Sequence, residues 1–111
     1  MKNIVLALSL LLVGNTLNAQ NKTESIKVYG NCSQCRSHIQ KAAKAAGAED
    51  AKWNVDTKIL SVTYDSKKTN SKKIQNSIAA EGYDTQDATA STVAYQKLDE
   101  CCQYDRKKTT K

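Results

Sequence analysis

Residues Ser25–Gly47, SIKVYGNCSQCRSHIQKAAKAAG, contain a change of hydrophobic period that decides the fold. From Ser25 to Tyr29 the apolar residues alternate, with Ile26 and Val28 on one face and Lys27 between them. A period of two marks a half-buried strand. Gly30-Asn31 makes a turn, and from Ser33 to Ala46 the period lengthens. Cys35, Ile39, Ala42 and Ala46 recur at spacings of three and four, while Lys41 and Lys44 fall toward the other side. That is one face of a helix, and Gly47 stands where such a helix ends.

Two further strands follow. Ala51, Trp53 and Val55 alternate with polar residues, Asp56-Thr57 is a turn, and Leu60, Val62 and Tyr64 alternate again. The short connection makes this pair a hairpin. A second helix is expected to start near Thr69 or Ser71, both good capping residues, with Ile74 and Ile78 buried and Gly82 at its end. Tyr83 to Ala88 reads as a short final strand. The order β-α-β-β-α-β is the split βαβ arrangement of ferredoxin-like folds, an α+β class with two helices on one face of an antiparallel sheet. Beyond it, Tyr95, Leu98 and Cys102 have helical spacing, which predicts a short amphipathic helix docked on the domain.

Upstream of the fold, Met1-Lys2 precedes an apolar run from Ile4 to Val13 and a polar segment ending at Ala19. A basic start, about ten apolar residues and a small residue at the cut form a secretory leader. The run is too short for a membrane helix, which needs roughly twenty apolar residues. The expected organisation is therefore a leader over 1–19, a domain over 20–88 and an extension over 89–111. Loss of residues 1–19 leaves 92 of the 111 residues and a net charge of +5: 17 basic residues, less Lys2, against 11 acidic ones. The excess gathers in Arg106, Lys107, Lys108 and Lys111, which read as a solvated tail. Export and the absence of aromatic residues among these charges argue against nucleic acid as a target. Stable membrane insertion after cleavage is not expected either.

Four cysteines, Cys32, Cys35, Cys101 and Cys102, lie in the part expected to be exported, with the periplasm as the natural compartment. Cys32 and Cys35 sit where the strand becomes a helix. A helix N-terminus offers free N–H groups and partial positive charge, and Arg36 adds a full one; both favour thiolate. No Asp or Glu lies in the loop, so the donors are soft sulfurs, which select Cu(I), Hg(II), Cd(II) or Zn(II) over calcium or magnesium. Two thiolates satisfy Cu(I) or Hg(II) most easily, whereas zinc wants four ligands. Cys101 and Cys102 are neighbours, and adjacent Cα atoms about 3.8 Å apart make a mutual disulfide strained. They remain open between completing a three- or four-sulfur site, a second site, a bridge between subunits, a disulfide and plain burial. His38, one helical turn on, reads as a solvent-facing polar residue or a third ligand. Trp53 and Tyr64 read as core or sheet-face residues.

In this topology the segment resembles the heavy-metal-associated domain family, which includes copper chaperones, periplasmic mercury-binding proteins and modules of copper-transporting ATPases. The resemblance covers roughly residues 24–88 and rests on Cys32 and Cys35, on Val62-Thr63-Tyr64-Asp65 and on Gly82-Tyr83-Asp84. It implies that Cys32 and Cys35 bind the metal and that Tyr83 lies beside the metal loop. It implies a metal-donor or metal-acceptor partner, such as a metal-transporting ATPase or efflux component, and no catalysed reaction. One departure stands out: many members carry Met two residues before the first Cys, where this chain has Gly30.

Two rival uses of Cys32 and Cys35 are a thiol–disulfide oxidoreductase and a disulfide staple. The chain has no Pro, so the cis-Pro that faces the cysteines of thioredoxin-like proteins is missing, and the element order is wrong for that fold. Arg36 after Cys35, in place of His, excludes c-type haem attachment.

Overall fold

The computed structural model describes residues 21–108. The expected leader, 1–19, and Lys111 lie outside them. Strand β1 (Asn21–Lys27) leads into helix α1 (Ser33–Ala45), then β2 (Asp50–Trp53), β3 (Ile59–Asp65) and helix α2 (Ser71–Ala80). Beyond these come a short helix α3 (Thr92–Gln96) and a 3₁₀ turn (Glu100–Cys102). The sheet is antiparallel in the order β1-β3-β2, with Ile26 opposite Leu60 and Trp53 opposite Leu60 on the other side.

Alternation along the strands builds one apolar face. Ile26, Ala51, Trp53, Leu60, Val62 and Tyr64 point into the core, while Lys52 and Ser61 stay outside. Both helices cover that face, α1 through Cys35, Ile39, Ala42 and Ala43, and α2 through Ile74, Gln75, Ile78 and Ala79. Each fully buried Ile contributes roughly 1.5–3 kcal/mol. The small Ala42 and Ala43 let the helices approach, and Ser77 Oγ donates to the Ala42 carbonyl at 2.8 Å. The hairpin turn is held by Asn54, whose Oδ1 accepts from the amides of Asp56 and Thr57. The expected ferredoxin-like arrangement is therefore present, with helices on one face of an antiparallel sheet.

Two local expectations change. Helix α2 is capped by Asn70, whose Oδ1 accepts from Lys73 N at 2.9 Å. Thr69 is buried against Gly47, and the Ser71 hydroxyl accepts from Gln75 Nε2, so neither caps the helix. The segment Tyr83–Ala88 lies along the outer edge of β1, as a fourth strand should, but forms a single bridge, Val28 to Thr85. Its ladder stops because the Gln86 side chain, not backbone, accepts from Lys27 N, and because Thr85 N turns back to the Ala88 carbonyl.

The extension docks on the domain, as the spacing of Tyr95, Leu98 and Cys102 predicts, although its helix is broken into α3 and the 3₁₀ turn. Gly82 ends α2 with φ +108° at the point of docking, where a Cβ would come within 2.9 Å of the Ala94 carbonyl oxygen. Tyr104 is buried; its hydroxyl donates to the Gly82 carbonyl and accepts from Asp84 N. Tyr95 packs edge-on against it and donates to its carbonyl at 2.7 Å.

The solvated tail is corrected for two of its four charges. Arg106 donates two hydrogen bonds to the buried Asp84 carboxylate, and Lys107 Nζ donates to the carbonyls of Thr85 and Ala88. Lys108 is exposed as expected. A buried carboxylate is costly without a partner, so the sequence-distant guanidinium is drawn onto it. Among the described residues, no helix is long and apolar enough to cross a membrane.

Candidate metal centre

Strand β1 and helix α1 meet at the segment Tyr29–Cys35. Cys32 is the N-cap residue of α1, with extended backbone that turns its sulfur toward the first-turn amides and the site. Cys35, one turn in, is fully buried. Its thiol donates to Asn31 Oδ1 at 3.1 Å, and its sulfur accepts from Asn31 N at 3.4 Å. The two sulfurs stand 3.4 Å apart. Burial raises the Cys32 thiol, but hydrogen bonds from the Cys35 and Gln34 amides outweigh it, and the net effect lowers its pKa. This is the helix-terminus effect expected of such a position.

The third sulfur comes from the far end of the chain. The 3₁₀ turn brings Cys102, also fully buried, to 3.9 Å from Cys32 Sγ. The sulfurs of Cys32, Cys35 and Cys102 all lie within 4.8 Å of one another. With metal–sulfur bonds of about 2.3 Å, sulfurs opposite each other across an ion stand about 4.6 Å apart, and sulfurs at trigonal corners about 4.0 Å. All three sulfurs are therefore close enough to reach one ion. Burial pushes the Cys102 thiol up to about 12. Such a thiol is protonated at neutral pH, and an ion that binds there displaces its proton to solvent.

Cys101 takes a different place. It is exposed, its sulfur is 3.8 Å from Cys102 Sγ, and its thiol donates to Gln34 Oε1 at 3.0 Å. It lies at the rim of the trio rather than within it. Its carbonyl oxygen is 3.3 Å from Cys32 Sγ. His38 is likewise outside the trio: its Nδ1 pairs with the Tyr83 hydroxyl at 2.8 Å. Tyr83 is buried behind the site and stacked on Tyr104. Burial, then the nearby Cys102 and Cys35 sulfurs, raise its hydroxyl well above the ordinary range, so it stays neutral.

The place usually filled by Met is filled another way. A Cβ on Gly30 would meet the Trp53 ring at 3.0 Å and Cys35 Cβ at 3.1 Å. The indole thus lies against the loop from the side of β2, and its Nε1 donates to the Val28 carbonyl at 3.0 Å. Trp53 is in the core as expected, but its contact with the loop, the Asn31 bonds to Cys35 and the Asp84–Arg106 pair escaped the sequence reading. The one available signal was that the chain's sole Trp accompanies a Gly where a large side chain is customary.

These residues form a cysteine cluster able to bind a soft metal ion. The heavy-metal-associated domain family matches residues 31–84. Among solved structures, the chain is 39% identical to a ZiaAN sub mutant, with 59% of this chain and 94% of that one covered and a TM-score of 0.50. It is 29% identical to the CopZ metallochaperone, with 58% and 98% covered and a TM-score of 0.55. It is 25% identical to oxidized MerP from Ralstonia metallidurans, with 59% and 96% covered and a TM-score of 0.51. Among curated proteins none matches at a significant level. Fold and relatives alike are of a metal-binding, non-catalytic kind, and the chain belongs to the heavy-metal-associated domain family.

Proposed function

We propose that this protein binds Cu(I), with Hg(II) as a second cargo, and hands the ion to a partner outside the cytoplasm. Cys32 and Cys35 are the primary ligands, Cys102 is the third, and Tyr83 closes the site from behind. The observation that carries this reading is the cluster of three sulfurs at a helix N-terminus, with no carboxylate among them. Such a donor set favours soft ions over hard ones; Zn(II) and Cd(II) fit less well because a fourth ligand is missing.

Transfer proceeds by ligand exchange. A partner thiolate adds to the ion as Cys102 leaves, and the extension carrying Cys102 moves without disturbing the sheet. Cys101, exposed beside Cys102, is the sulfur that an incoming partner meets first. In this reading residues 1–19 are the export leader, 20–88 the metal-binding domain and 89–111 a ligand-bearing arm. The partner is a metal donor or acceptor, such as a metal-transporting ATPase or an efflux component.

An anaerobic titration of the reduced chain, lacking residues 1–19, with Cu(I) and Hg(II) against a competing chelator tests the proposal. Cys32→Ser and Cys35→Ser should each abolish tight binding. Tight stoichiometric binding in the double variant would overturn it. Reduction of insulin by the metal-free protein would point instead to thiol–disulfide exchange.

A further inference from the structure

Two thiolates already satisfy Cu(I) or Hg(II), yet a third buried sulfur is brought some 70 residues along the chain to the same point, so the site also suits an ion that needs three. The groups around the three sulfurs are one another, Asn31, the Cys35 and Gln34 amides, the carbonyls of Cys101 and Cys102, the Cys101 sulfur and the Tyr83 hydroxyl. Among the described residues no Lys, Arg or His side chain is part of these contacts. Charge then decides which ion is best matched to all three. Three thiolates around Cu(I) carry a net charge of −2, around a divalent ion −1, and around a trivalent ion zero. Cys35 and Cys102 are fully buried, and an uncompensated charge there costs several kcal/mol. The α1 N-terminus offsets only part of it.

Geometry points the same way. With bonds of about 2.3 Å, sulfurs subtending a right angle at the ion stand about 3.3 Å apart, and those at trigonal-planar corners about 4.0 Å. The two edges at Cys32, 3.4 and 3.9 Å, fall between these limits, as in a flattened pyramid, and the third edge is within 4.8 Å. Trivalent arsenic and antimony form such pyramids, because their lone pair occupies the fourth direction.

We propose that the Cys32–Cys35–Cys102 trio captures trivalent arsenic or antimony as a neutral tris-thiolate complex. The inference rests on the same site as the soft-metal reading and extends its range of cargo. Arsenous acid reacts with three thiols, forming three As–S bonds and releasing three waters. Each thiol proton leaves with an arsenic-bound hydroxide, and neither arsenic nor sulfur changes oxidation state. The half-exposed Cys32 gives the acid its first point of attack.

The test is arsenite added anaerobically to the reduced chain lacking residues 1–19, with Cu(I) titrated into the same preparation. After desalting, intact mass should show one arsenic per chain with three protons lost, and arsenic K-edge absorption should show three sulfurs. Cys35→Ser and Cys102→Ser should each lower retained arsenic at least tenfold, and Cys101→Ser should not. Two sulfurs and one oxygen in the wild type, no retained arsenic, or retention undiminished in Cys102→Ser would each overturn the proposal. Cu(I) binding without arsenic capture would refute this inference alone; loss of both would refute the soft-metal reading as well.

Discussion

The Asp84 carboxylate and the Arg106 guanidinium are joined by two hydrogen bonds, of 2.6 and 3.0 Å, that fasten the C-terminal extension to the domain. Asp84 directly follows Tyr83 at the back of the sulfur cluster, and Arg106 lies four residues beyond Cys102. Arg106 also donates to the Ala90 carbonyl and lies over the Tyr95 ring at 5.0 Å. The pair therefore acts as a clasp that keeps the third sulfur in place.

Arg106→Leu should open that clasp. Removing one member of a largely buried pair costs about 3 kcal/mol, because the other charge is left stranded. Urea unfolding should show a loss of this order. The variant should keep Cys32–Cys35 metal binding but lose the contribution of Cys102. A change of less than about 0.5 kcal/mol, the surface-substitution level, would show that the clasp is not structural.

Acid should release the clasp in the wild type. Burial raises the Asp84 carboxyl, but Arg106 and the amides of Ala90 and Lys107 outweigh it and leave its pKa below the usual 3.8. A carboxyl depressed in the folded state contributes stability above its unfolded pKa and loses it as pH falls through the folded value. Melting temperatures of wild type and Asp84→Asn should thus differ most above about pH 5 and draw together only as pH falls below 3.8 toward the lower folded value. A difference that stays constant across this range would contradict the assignment.

Gly30 and Trp53 should prove to be one unit. Gly30→Met alone overpacks the loop against the indole and should cost about 1–3 kcal/mol. Combined with Trp53→Ile, which clears the space, much of that loss should return. A double-mutant cycle should give a coupling above about 0.5 kcal/mol, whereas simple additivity would mean that the two side chains do not compete.

The thiols should react in a fixed order. Cys32 has a lowered pKa and is partly accessible, whereas Cys102 is buried and pushed up to about 12. Under limiting iodoacetamide at pH 7, peptide mapping should find Cys32 modified well before Cys102 in the metal-free protein. Equal rates would show that the extension does not hold Cys102 in the core.

The sequence made the strand–helix junction legible because two hydrophobic periods meet at Cys32, and the hairpin legible through Asp56-Thr57. Cys32 and Cys35 come together at that junction, and Tyr83 is buried behind them. What stayed hidden depended on partners far apart in the chain. The final strand was lost to a side chain, Gln86, which replaces a ladder bond of Lys27. The basic tail was misread because charge runs give no sign of a buried acid such as Asp84. Cys102 could be counted but not placed, since its position depends on Tyr104, Arg106 and Gly82 together.

The most direct test is copper K-edge absorption of the reduced chain lacking residues 1–19, loaded with one Cu(I). The account predicts three sulfurs around copper in the wild type and in Cys101→Ser, falling to two in Cys102→Ser. Two sulfurs in all three proteins, or nitrogen and oxygen in place of sulfur, would contradict a site built from Cys32, Cys35 and Cys102.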